Sequence, residues 1–193
     1  MTRRLSPDAR RAEIVATARD LIAQEGYRSL SLREVARRCG MSAPGLMHHF
    51  PDMPTLLEAV LESRDVGDMT SISQALPPDA TFDDVVDVAL AYYAEDAGVR
   101  SFDALEAEAI DPDHPAHRYF VDRDDRVFET VRPVLERQFE DPERVRTVLR
   151  LMIDGLRLRR MRDPENYDMR RDWGIVRDTL AAISPVRTPV SSE

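Results

Sequence analysis

The sequence has one cysteine, Cys39, in 193 residues, which rules out an intrachain disulfide framework and any cysteine-rich zinc site. Glycine is scarce at seven residues and aromatic residues reach only 6%, so collagen-like and low-complexity chains are excluded. Lysine is absent: all 27 basic residues are arginine. No stretch approaches the roughly 20 apolar residues that a membrane helix needs. The arginines near the N-terminus are followed by no apolar run of the signal-peptide kind. The expectation is therefore a cytoplasmic protein with no membrane partner. Alternating apolar residues between hairpin turns are missing as well. What remains is 42% hydrophobic and 33% charged, the balance of a folded, helical chain.

The net charge of −9 is unevenly placed. Residues 1–50 hold nine arginines against Asp8, Glu13, Asp20, Glu25 and Glu34, a balance of +4, which leaves −13 on the other 143 residues. A basic head on an acidic body suits a chain that meets phosphate at one end only.

Helix signals run the whole length. Ser6-Pro7-Asp8 combines a capping hydroxyl, a first-turn proline and an acid at the positive end of the dipole. Ile14, Ala18, Leu21 and Ile22 then mark one face, and Gly26 ends the helix. Ser31 and Glu34 have capping-box spacing ahead of a short helix with Leu32, Val35, Ala36 and Cys39 inside, stopped by Gly40. Ser42 caps a third short helix, with Leu46 and Phe50 as its core pair. Asp52 opens a fourth through Leu56, Leu57, Val60 and Leu61. Longer helices are expected from Thr81 to about Ala97, from Ser101 to about Ile110, from the Asp111–Pro115 segment to about Phe139, from Asp141 to about Arg162, and from Tyr167 to Ile183. The prediction is an all-α chain of about nine helices. An N-terminal three-helix domain (1–52) is joined by a linking helix to a larger helical domain (53–183), and residues 184–193 form a disordered tail.

Two short helices joined by a glycine-containing turn make a helix-turn-helix unit, whose second helix enters the major groove. Pinned by Leu46 and Phe50, that helix leaves Ala43, Pro44, Gly45, Met47, His48 and His49 facing outward. Arg3 and Arg4 form a short arm able to reach a backbone or minor groove. The plainer alternative makes Arg28, Arg33, Arg37 and Arg38 an ordinary solvated face.

Gly26-Tyr27, Ser31-Leu-Arg-Glu-Val-Ala-Arg37, Gly40-Met-Ser42 and Leu46-Met-His-His-Phe50, followed by Leu56-Leu57, resemble the DNA-binding domain of TetR-family transcriptional regulators. The resemblance runs from about Arg10 to Leu57. Weaker likenesses occur at His114-Pro-Ala-His117 and Asp154-Gly-Leu156. It implies a homodimer that represses transcription from a palindromic operator on double-stranded DNA until a small-molecule effector releases it. Carried over, Arg33 reaches a base edge, with guanine the natural target. Pro44, Gly45, Met47, His48 and His49 take recognition-helix positions, and Ser31 and Ser42 take helix-start positions near phosphate. Gly45, Met47 and Met53 stand where the family often has threonine, tyrosine and lysine, all backbone-contacting. That implies weaker phosphate contact, or support from the Arg3-Arg4 arm.

Beyond the head, apolar residues on two sides of the last two helices suggest a dimeric four-helix bundle. Leu149, Ile153, Leu156, Trp173, Val176, Leu180 and Ile183 are the interface candidates, with a larger single-chain core as the alternative. Tyr92, Tyr93, Phe102, Phe120, Phe128 and Met152 are candidates to line an effector pocket. Asp111, Asp113, His114 and His117 offer oxygen and imidazole ligands to a metal, as in a metal-dependent enzyme or metal sensor. Helix capping explains the same residues without a metal. Phosphate loops and nucleophile elbows are missing from the sequence, so the expectation is a non-enzyme with no cofactor.

Overall fold

The computed structural model describes residues 6–95 and 97–183, without the side chains of residues 68, 72, 89, 92–100 and 181. Arg3, Arg4 and the expected tail at 184–193 lie outside the described residues. The elements are α1 (Pro7–Glu25), a 3-10 turn (Tyr27–Ser29), α2 (Leu32–Arg38), α3 (Ala43–Met47), α4 (Met53–Ala75), α5 (Phe82–Glu95), α6 (Ala97–Glu108), α7 (His117–Gln138), α8 (Pro142–Arg162) and α9 (Met169–Ile183). Among the described residues there is no β-strand, and the chain is all-α as expected.

Short polar side chains start these helices by accepting backbone N–H groups that have no partner within the helix. Ser6 Oγ accepts from Ala9, Ser31 Oγ from Glu34, Ser42 Oγ from Gly45, Asp52 Oδ1 from Thr55 and Asp141 Oδ1 from Arg144. The reciprocal capping box forms at Thr81 and Asp84, where each side chain accepts the other's N–H. It does not close at Ser31 and Glu34, because the Glu34 carboxylate turns to two arginines instead.

Several boundaries differ from the sequence reading. The fourth helix runs on to Ala75, and α6 begins at Ala97 rather than Ser101. The Asp111–Ala116 segment is not helical: His114 N–H donates to Asp111 O and His117 N–H to His114 O, a chain of turns before α7. Pro112 and Pro115 lack the N–H that a helix there would need, and each disfavours helix in the residue before it. The last helix starts at Met169, capped by Asp168 rather than opened at Tyr167.

The chain divides into two compact units, 1–68 with 97–122 and 69–96 with 123–193. The first holds α1 to α3, the start of α4, α6 and the start of α7. Its core joins Ile14, Ala18, Leu21, Val35, Ala36, Leu46, Phe50, Leu56, Leu57 and Leu61 to Phe102, Leu105, Ala109, Ala116 and Phe120. This unit is larger than the expected 1–52 segment, because α6 packs on α1. Ser101 Oγ donates to Ala23 O, and Arg28 pairs with Glu108 at 2.9 Å. The second unit has its own core, built from Phe82, Val85, Val86, Leu90, Phe128, Leu135, Phe139, Val145, Leu156, Trp173, Val176 and Leu180. In it, α8 packs on α9.

Candidate nucleic-acid interface

The turn between α2 and α3 rests on a glycine used for its conformation. Gly40 has φ 64°, the left-handed region that L side chains rarely adopt. Its N–H donates to Arg37 O, and the next N–H, of Met41, donates to Ala36 O at 3.0 Å. These two bonds are the Schellman termination that closes α2 and redirects the chain into α3. Met41 packs against the same core.

Helix α3 is a short rod pinned from one side. Leu46 and Phe50 are fully buried at 0% exposure, whereas Met47 is 50% exposed. Pro44, His48 and Ser42 are exposed; Ala43, Gly45 and His49 are half-buried. The expected outward set is thus open to solvent to different degrees, and Ala43 packs partly against the core. Gly45 has little room for a side chain, since an added Cβ would stand 3.1 Å from the Ser42 hydroxyl that caps the helix. Met53 is not projected into solvent but packs partly buried against the core. Where the resemblance implies a backbone-contacting lysine, this chain makes an apolar contact.

The arginines separate into two kinds. Arg28 pairs with Glu108, Arg37 with Glu34 at 2.5 Å, and Arg38 with both Glu34 and Glu25 at 3.1 Å. Arg33 is exposed and has no hydrogen-bond or ion-pair partner among the described residues. A cation held by no neighbouring acid is free to be neutralised by something else. Arg28, Arg37 and Arg38 are thus held by acids of the chain itself, and Arg33 is not.

Glu34 carries the largest electrostatic perturbation of this surface. Hydrogen bonds from Arg37 and then Arg38 pull its pKa down from 4.5 to about 2. A carboxyl lowered in the folded state stabilises fully above its ordinary value, and that stability is lost as pH falls through the lowered one. The difference in urea midpoint between wild type and Glu34→Gln should be present at pH 7 and should close as the pH is taken from 4.5 to 2. A gap that persists at pH 2 would mean the pairing with Arg37 and Arg38 is not its source.

The remaining candidates are dispersed. Phe102 and Phe120 pack together in the first unit, ring centroids 5.1 Å apart. Phe128 and Met152 belong to the core of the second. Tyr92 and Tyr93 lie outside the residues whose side chains are described. A cavity of about 370 Å3 opens near the α8–α9 connection, lined by Arg159, Arg162, Asp163, Asn166, Tyr167, Asp168, Arg171 and Asp172. It contains none of the six candidates, and its charges face one another, with Arg159 and Arg171 at 3.6 and 3.7 Å from Asp172.

Most of the interface candidates are covered within the single chain. Leu156, Trp173, Val176 and Leu180 are at most 8% exposed within the single chain, so their surface is already covered by its own core. Leu149, Ile153 and Ile183 pack partly buried against that core. The apolar side chains that α8 and α9 leave open are Leu151, Leu158 and Ile175, at 67%, 44% and 66% exposure.

No group of three histidine, cysteine, aspartate or glutamate residues among the described residues is placed to hold a metal. His114 lies in the turns, not on a helix face with His117. Its Nδ1 accepts from Ala116 N–H, while His117 Nδ1 lies 2.8 Å from Ala109 O. Asp111 Oδ1 accepts from Asp113 N–H. These bonds are all made within the Ala109–His117 segment, and nothing supports the metal alternative.

A capped and pinned short helix, a glycine-terminated partner helix before it and an unpaired arginine together define a helix-turn-helix protein. Residues 14–60 match the profile of the bacterial regulatory proteins of the tetR family. A 73-residue stretch is 33% identical to the HTH-type transcriptional activator FasR of Mycolicibacterium smegmatis. That match covers 38% of this chain and a third of FasR's length. Among solved structures, Salmonella enterica GusR is similar at a TM-score of 0.71 and 19% identity, over 93% of this chain and 97% of that one. SmeT, the repressor of the Stenotrophomonas maltophilia multidrug efflux pump SmeDEF, is similar at 0.64 and 20%, over 94% and 93%. At such identities these two show the shared fold.

Proposed function

We propose that this chain is a sequence-specific transcriptional regulator. It binds a two-fold symmetric DNA site as a homodimer and represses until a small molecule releases it. The observation that carries the reading is the pairing of a fully buried Leu46 and Phe50 with an exposed Arg33 and His48. One face of the motif is fixed, and the other offers donors to base edges. The acidic remainder of the chain supports contact with DNA through the head alone. Leu151, Leu158 and Ile175 are the apolar surface available for a second copy of α8 and α9.

Release follows from linkage. An effector that prefers the form with misplaced recognition helices must lower operator affinity by the same factor by which DNA lowers effector affinity. SmeT has been solved as a triclosan complex, which supports a small apolar molecule as the effector class.

The test is fluorescence anisotropy on duplex from the chain's own upstream region and on scrambled duplex, across a salt series. A sequence-specific dimer should prefer one duplex by about 10³-fold or more, with two subunits bound per site. Equal, steeply salt-dependent binding to all duplexes, including ones selected from a random pool, would replace this reading with non-specific nucleoid binding. A promoter–reporter assay then separates repression from activation, the role that FasR's name gives it.

A further inference from the structure

We propose that Arg11, on α1, is the positioning residue that fixes the pose of the recognition helix α3. The proposal rests on the DNA-binding reading above and adds to it a residue outside the helix-turn-helix segment. The α3 helix has five residues, too few to be stable by itself. Its ends must be held from outside. Ser42 closes the N-terminal end by accepting Gly45 N–H at 3.2 Å. At the other end the last carbonyls of a helix lack partners within it. In the turn that follows, two residues past Met47, Arg11 Nη1 donates to His49 O at 2.9 Å, across 38 residues of sequence. The same guanidinium lies 4.0 Å from the centroid of the Phe50 ring.

Three physical effects act together at this point. The cation satisfies a carbonyl of the turn that follows α3, it stands near the negative end of the helix dipole, and it covers the face of the aromatic side chain that pins the helix. Its own base is firm. Arg11 lies in the second turn of α1, whose start is capped by Ser6 and whose next residues inward, Ile14 and Val15, are buried in the core. Nearby arginines behave differently: Arg10 pairs with Glu13 and Arg19 with Asp20. Arg11 instead holds the backbone carbonyl of His49 and the ring of Phe50, the two residues that follow His48. It acts on DNA through the placement of that residue and its neighbours, without itself reading a base.

The experiment compares wild type with Arg11→Ala, Arg11→Met and Arg11→Lys in the full chain. The first readout needs no DNA: amide hydrogen exchange over residues 43–50. Faster exchange confined to this segment, with the thermal midpoint near that of wild type, is expected for Ala and Met and should be largely reversed by Lys. The second readout is anisotropy with a duplex selected by the wild-type protein from a random-sequence pool, against scrambled duplex. The Ala variant should lose about tenfold on the selected duplex, equivalent to ~1.4 kcal/mol, with little change on scrambled DNA.

Unchanged exchange over 43–50 would overturn the proposal. So would faster exchange spread through α1, α2 and α4 with a lowered midpoint in both Ala and Met variants, which would make Arg11 a general fold residue. Equal loss on both duplexes with a salt slope smaller by about one would make it a phosphate contact instead. If wild type selects no duplex at all, the DNA-binding reading fails, and the exchange measurement still decides the clamp.

Discussion

Phe50→Ala is expected to lower the unfolding free energy by about 3–5 kcal/mol, the usual cost of emptying a buried phenylalanine site. Phe50 is at 0% exposure and shares its core with Ile14, Leu46, Leu56 and Leu57. Truncation therefore leaves a cavity that neighbours on three helices cannot fill by simple collapse. It also removes the ring beneath Arg11 and frees the end of α3. Against a total stability of about 5–15 kcal/mol for a typical domain, that is a large fraction. Sequence-specific DNA binding should disappear along with it, because α3, the helix proposed to read the groove, loses one of its two pins. Urea denaturation followed by circular dichroism measures the first effect, and a drop of under about 1 kcal/mol would place Phe50 among ordinary surface positions. Leu46→Ala provides the comparison, with an expected loss of about 2–5 kcal/mol.

The second large effect concerns recognition alone. Arg33→Ala combined with His48→Ala should leave the urea midpoint nearly unchanged, since both side chains are exposed and such substitutions fall within about 0.5 kcal/mol. A bidentate arginine–guanine contact contributes about 1–3 kcal/mol of discrimination, so the double variant should bind the selected duplex more weakly by at least about fivefold to 150-fold. Scrambled duplex should be affected much less. Arg28→Ala is the matched control: its guanidinium is already paired with Glu108 at 2.9 Å, so its removal should not change preference among duplexes. Unchanged operator affinity in the double variant would show that the reading surface lies elsewhere on the chain.

The legible parts of this protein are those determined by local spacing. Hydroxyl and carboxylate caps at Ser6, Ser31, Ser42, Asp52 and Asp141 are readable because each bonds within three residues of itself. The i, i+4 pair of Leu46 and Phe50 and the glycine stop at Gly40 are local in the same sense. Capping alone misplaced the start of α7, because Pro112 and Pro115 turned the acidic segment into turns. The end of α4 was also missed, since its last residues carry few apolar positions and no stop signal before Ala75.

Contacts across long separations were not legible. Nothing in the spacing of Arg11 indicates that it meets a carbonyl 38 residues away. Nor does the spacing of Arg28, Arg33, Arg37 and Arg38 show that three are paired and one is free. Apolar stripes on α8 and α9 look alike in sequence whether they face a second subunit or their own core. Burial decides it for Leu156, Trp173, Val176 and Leu180, and leaves Leu151, Leu158 and Ile175 open.

The sequence by itself therefore determined the helical class and the helix-turn-helix motif, because caps, glycine stops and apolar periodicity act within a few residues. The tertiary structure decided which of Arg28, Arg33, Arg37 and Arg38 lacks an acidic partner, which side chain meets the turn after α3, and which large apolar residues of α8 and α9 stay exposed. Those outcomes depend on which distant segments share a core, and local spacing carries no record of that.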